Sequence, residues 1–128
     1  MVAFSNYLET GLLGVTLCHS VFTAPATIYI GLATSVTGDA TSVTEVATGS
    51  YARQAALFDA PSSGACVNSA DIVFPEATLD WGTLTNVLLF DASTSGNLLY
   101  YGPLSQSQAI SSGMVFEIPD GSLIIGLD

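Results

Sequence analysis

The side chains able to do chemistry are few and far apart. His19 is the only histidine, and a hydrolytic triad needs such a base beside its nucleophile. No motif surrounds it, so it reads as a structural histidine near the end of a helix. Cys18 stands next to it, but neighbours on a helix point in different directions, which makes a poor metal pair. Cys18 and Cys66 read as small buried hydrophobes in a reducing compartment, with a disulfide as the alternative. Asp71 with Glu76, or Glu76 with Asp80, could form an acid pair or a calcium site. Their spacing matches no known loop, and solvated turn carboxylates are the plainer reading. Trp81, in Asp80-Trp81-Gly82, offers either a stacking platform for a sugar or a buried ring whose indole N–H is bonded to a carbonyl. Arg53 is the only basic side chain among 11 carboxylates, so a bidentate pair that ties its strand to a loop is expected. Arg53 and Trp81 are therefore assigned structural roles. The glycine spacings fit no phosphate-binding loop or dinucleotide fingerprint, and there is no lysine to touch a phosphate. No catalytic residue, cofactor or metal ligand is assigned, and the expectation is a protein that is not an enzyme.

Composition narrows the partners. A net charge of −10 repels a phosphate backbone, so neither nucleic acid nor an anionic membrane is expected as a partner. Charged residues make up 9% of the chain against the roughly 25% of an ordinary soluble domain, while 49% is hydrophobic. Such a surface, solvated by Ser, Thr, Gly, Ala and Asn, suits a packed part of an assembly. No apolar run is long enough for a membrane-spanning helix. The N-terminal segment lacks a basic region and carries Glu9, so use without export is expected. A chain of 128 residues fits one domain, taken as 1–128.

The elements follow from periodicity and punctuation. Residues 84–90 and 98–104 are almost unbroken apolar sequence, separated by the turn-forming residues 91–97; they predict a central hairpin buried on both faces. Residues 5–22 predict the one helix, with Asn6 and Glu9 as a capping box and Phe4, Tyr7, Leu8, Leu12 and Val15 at spacings of three and four. Gly11 and Gly14 weaken it, so it needs a surface to pack on: its own sheet, or a neighbouring subunit. Residues 26–33 predict a strand with Ile28, Ile30 and Leu32 on one face, and 34–50 a long polar excursion. Residues 51–58 predict a strand with Tyr51, Arg53, Ala55 and Leu57 on one side, and the end of 65–74 another. Residues 105–113 read as a polar connector, and 114–119 with 122–128 as a second hairpin around Asp120-Gly121. Strand signals at roughly ten-residue intervals predict a mainly β protein, an antiparallel sandwich or jelly roll over 26–128 with one N-terminal helix.

Three phrases are distinctive together: GSYARQA (49–55), VFPEATLDWGTLTNVLLFD (73–91) and SGNLLYYGPL (95–104). With SNYLE, ATIYIGLATS and the closing SLIIGLD, they resemble a family of small structural proteins of tailed bacteriophages, usually labelled tail fibre or virion structural proteins. The resemblance runs over nearly the whole chain. It implies a virion component without an active site: in the first place a capsid cement protein on the phage head, displayed as a homotrimer and clamping the major capsid protein, with a tail or tail-fibre component that binds the host surface as the alternative. On that reading Phe4, Tyr7, Leu8 and Leu12 of the helix, and Val43 and Val46 of the polar excursion, are the expected subunit contacts.

Overall fold

The computed structural model describes residues 2–127; Met1 and Asp128, the ends of the predicted domain and of the last predicted strand, lie outside them. Ten strands, β1 (Ala3–Phe4), β2 (Ile28–Thr37), β3 (Ser42–Glu45), β4 (Gln54–Ala56), β5 (Ala65–Val67), β6 (Ile72–Val73), β7 (Gly82–Phe90), β8 (Leu98–Ile110), β9 (Glu117–Ile118) and β10 (Ile124–Gly126), accompany one helix, α1 (Asn6–Leu17). All pairings are antiparallel. The main sheet runs β1-β8-β7-β2-β3, and β4 shares with β3 the outer edge of β2. The ribbons β5–β10 and β6–β9 form a second layer. The fold is a mainly β antiparallel sandwich with one helix, as expected.

The predicted central hairpin is β7 and β8, and it sits in the middle of the main sheet. Its apolar residues divide between the two faces by alternation. Val87 and Leu89, with Ile30 and Leu32 from β2, enter the large core shared with Ile72, Phe74, Ile118 and Ile125 of the second layer. Leu88, Phe90 and Ala33 face the other way, where Tyr29, Val43, Leu98 and Tyr101 cover them in part. A register shift between Leu84 and Asn86 changes the alternation, so that Leu84 joins the same core as Val87.

Several boundaries differ from expectation. The helix is capped by Ser5, not Asn6: Ser5 Oγ accepts the Leu8 N–H at 3.2 Å and donates to the Leu98 carbonyl, tying α1 to β8. The helix ends at Leu17 because His19 takes a left-handed conformation (φ 54°), and the N–H groups of Cys18 and Ser20 both reach the Gly14 carbonyl. The expected excursion 34–50 is largely a second hairpin, since β2 continues to Thr37 and β3 returns beside it. Of 51–58 Gln54–Ala56 pairs as a strand and Phe58 makes a single bridge to Asn68; Tyr51 points into the core while Leu57 is exposed. The expected connector 105–113 is mostly the far end of β8.

The expected terminal hairpin does not form. The chain does turn at Asp120-Gly121, with the Ser122 N–H on the Pro119 carbonyl, but β9 pairs with β6 and β10 with β5. The reason is Asn68, which is completely buried. Its Nδ2 donates to the carbonyls of Ala70 (2.9 Å) and Pro119 (3.0 Å), and its Oδ1 accepts the Leu123 N–H at 2.9 Å. Its backbone exchanges bonds with Leu123 and Gly121 as well. The turn is stitched to Asn68, and the strands on either side of it part to different neighbours.

Candidate functional site

The most connected polar group is Arg53. Its Nε and Nη2 meet Glu45 Oε1 and Oε2, each at 2.7 Å, the bidentate geometry of a guanidinium on a carboxylate. Nη1 donates to the carbonyls of Ala92 (2.9 Å) and Ser95 (2.7 Å) in the loop between β7 and β8. The guanidinium carbon lies 3.4 Å from the centre of the Phe90 ring, a cation–π contact. Tyr51 completes the cluster: its hydroxyl donates to Glu45 Oε1 at 2.7 Å and accepts the Leu32 N–H at 3.0 Å. Burial, and then the bond to Glu45, hold the Tyr51 phenol well above its ordinary pKa. Gly31 makes the approach possible, because a Cβ there would sit 2.9 Å from Glu45 Oε1. The 91–97 loop adds its own closure: the Asn97 N–H and side-chain amide both donate to Asp91, which holds the Asp91 carboxyl below its ordinary range. Every strong donor and acceptor in this cluster is engaged by another. It is a lock joining β2, β3, the approach to β4 and the loop, with no group left free as nucleophile or base.

The other candidate residues are dispersed. Trp81 is buried, as expected, and meets Tyr51 edge to face at 5.4 Å, but its indole N–H has no hydrogen-bond acceptor where a carbonyl was expected. Burial also removes it as a platform for a sugar. Asp71 accepts the Asp120 N–H and Asp80 the Ser112 N–H, so each serves one loop. Among the described residues no three His, Cys, Asp or Glu side chains gather as metal ligands, and no helix is long and apolar enough to cross a membrane. Cys18 and Cys66 are both free; Cys18 is exposed, contrary to expectation. A cavity of about 210 Å³ between the main sheet and the β5–β10 ribbon is lined by Ile28, Phe58, Cys66, Leu89, Tyr100 and Ile125 among others, and no charged group enters it.

The expected contact residues separate into two groups. Leu8 and Val46 are each only 5% exposed and belong to the chain's own interior, so they present no contact surface. Val43 is half-buried over the smaller core, and Phe4 is half-buried edge to face with Tyr100 at 5.4 Å. Leu12 is half-buried and Tyr7 exposed. Sequence periodicity missed the side of the helix that is most open. Leu13 and Leu17 lie roughly opposite Leu8 on a helix of 3.6 residues per turn, and they are 58% and 70% exposed. The returning segment covers a third side, with the Phe22 ring and Ser20 Oγ occupying the space beside Gly11 and Gly14. The signal available was the i, i+4 pair of leucines itself, which lies outside the stripe traced from Phe4 to Val15.

The family model described as Podophage GP4 fiber I protein gp80 matches residues 3–126. The chain belongs to that family. No curated protein matches it. Membership in the gp80 fibre family makes the protein a structural component of a bacteriophage virion, in agreement with the resemblance carried by YARQA, WGT and GNLLYYG. The family's description names a fibre and not a capsid.

Proposed function

We propose that this member of the gp80 fibre family is a tail-fibre component that works by contact and catalyses no reaction. The observation that carries this reading is the family match over residues 3–126. The architecture supports it. The one buried cation is spent on holding loops together, and the carboxylates serve turns one at a time. Apolar residues are left outside on α1, its return segment and the ribbon layer, and at Leu57 and Leu79 of the connecting loops, which suits a part that is finished by neighbours.

The capsid-cement role, with the major capsid protein as partner, differs from this one in copy number and position. Quantitative mass spectrometry of purified virions, with antibody labelling of intact particles, separates them. A few to a few tens of copies, labelled at the tail, is the expected result. Hundreds of copies spread over the head would overturn the fibre reading in favour of cement, and absence from the particle would remove both.

A further inference from the structure

We infer that the cavity between the main sheet and the β5–β10 ribbon is a binding site for an uncharged alkyl chain of about six to eight carbon atoms. The inference stands apart from whether the protein sits on tail or head.

The pocket runs from the surface to the interior. Its deep end is closed by Leu89 of β7 and Ile125 of β10, both buried, with Ile28 and Phe58 half-buried along the sides. At the outer end stand Pro61, Gly64 and Leu127, all exposed. Backbone bonds frame it, whatever fills it: the Asp59 N–H meets the Val67 carbonyl and the Ser62 N–H the Ala65 carbonyl, each at 2.9 Å, and the Leu127 N–H meets the Gly64 carbonyl at 2.8 Å. A pocket framed in this way is formed before its ligand arrives. Its volume, about 210 Å³, exceeds the roughly 150 Å³ of an apolar cavity that stays dry and takes up benzene. Protein interiors rarely keep a void this large, because its lining forgoes dispersion contacts. An alkyl chain restores them, and the open outer end lets the rest of the ligand stay in water.

The lining selects the chemistry of the occupant. Of the side chains around the pocket only Cys66 and Tyr100 carry a polar atom. Burial, and then the nearby Cys66, raise the Tyr100 phenol above its ordinary pKa, so it stays neutral. An anionic head group would find no lysine or arginine at the opening. Arg53, the only such residue, is enclosed by Glu45 and loop carbonyls, whereas Asp59 follows Phe58 directly and is exposed. A fatty-acid anion is disfavoured on both counts, and an uncharged chain remains. The neighbouring opening beside Leu104 and Ile118 fits worse, because Ser105, Glu117 and Ser122 line it as well.

The full chain carrying Cys18→Ser, which leaves Cys66 as its only thiol, is titrated with hexanol and separately with hexanoate, a chain of the same length that carries a charge. The methyl NMR signals of Ile28, Leu89 and Ile125 are expected to shift together and to saturate with a midpoint of about 1 mM. Those of Leu13 and Leu79, exposed elsewhere, stay in place. Hexanol slows the alkylation of Cys66 by N-ethylmaleimide over the same range, and hexanoate binds about tenfold more weakly or worse. Cys66→Phe fills the space and abolishes the saturable shifts. Circular dichroism checks that this variant keeps its sandwich; if it fails to fold, the methyl shifts and the protection of Cys66 decide. The inference is overturned by shifts that do not saturate at about tenfold above that midpoint, by binding that survives Cys66→Phe in a folded protein, by equal binding of hexanoate, or by equal movement of Leu13 and Leu79. Cross-linking of Cys66 in virions to another protein, while hexanol leaves the methyls unmoved, also overturns it and gives the pocket to a side chain of that protein.

Discussion

Arg53 acts at the scale of a single residue but holds four pieces of chain. Removing it leaves the Glu45 carboxylate, itself mostly covered, facing Phe90 and Tyr51 with no counter-charge, and leaves the carbonyls of Ala92 and Ser95 without their donor. Breaking one side of a buried ion pair typically costs about 3–5 kcal/mol, and partial exposure of Glu45 favours the lower end of that range. Arg53→Gln is expected to lower unfolding stability by about 3 kcal/mol in a denaturant titration. Pairing it with Glu45→Gln should recover part of the loss, because no orphaned charge then remains. Equal losses in the single and double variants would mean that the Phe90 and loop contacts dominate over the carboxylate. Tyr51 sets the alkaline limit of the same cluster. Its folded pKa is raised above its unfolded value, so its contribution is whole below the ordinary phenol range and is lost as pH rises from that range through the raised folded value. A spectrophotometric titration should therefore show unfolding accompany tyrosinate formation at high pH, and Tyr51→Phe should weaken that coupling.

At the scale of elements, Asn68 decides how the last third of the chain is threaded. The truncation Asn68→Ala leaves the buried Leu123 N–H unpaired, at about 1–3 kcal/mol, and removes the amide's bonds to the Ala70 and Pro119 carbonyls, at about 1 kcal/mol more. The expected loss is about 3 kcal/mol, with hydrogen exchange quickening first at β9 and β10 rather than in the central hairpin. Uniform acceleration across the whole sheet would contradict the role given to Asn68. That residue also shows where sequence reading stops. The β7–β8 hairpin was legible because both arms are apolar on both faces and the break between them is made of turn residues. Arg53 was legible because one cation among many acids must pair. Residues 42–45 were not, because Ser and Thr at a sheet edge carry no clear alternation, and neither was the Ser/Gln half of β8. Asp120-Gly121 is a correct turn signal, but the register of its flanks is set by a buried asparagine fifty residues earlier. His19 ends the helix in a conformation that ordinarily advertises itself through glycine. Of α1, the helix itself was legible and its open face was not, since Leu13 and Leu17 lie away from the stripe that periodicity favours.

The whole molecule carries a net charge of −10 around a single, enclosed cation. Two electrostatic contributions to its stability oppose each other. Repulsion among exposed carboxylates weakens as salt shortens the screening length from about 10 Å at 0.1 M to about 3 Å at 1 M. The Arg53–Glu45 pair is mostly covered and is screened much less. Repulsion should therefore give way first, and stability should rise with sodium chloride. A relief on the order of 1 kcal/mol corresponds to about 4 °C in the unfolding midpoint of a chain this size. The measurement is a series of thermal melts from 20 mM to 1 M salt (roughly the span over which screening changes most), made at a concentration where sedimentation shows one species. A midpoint that falls with salt would mean that weakening of the Arg53–Glu45 pair outweighs the relief of repulsion.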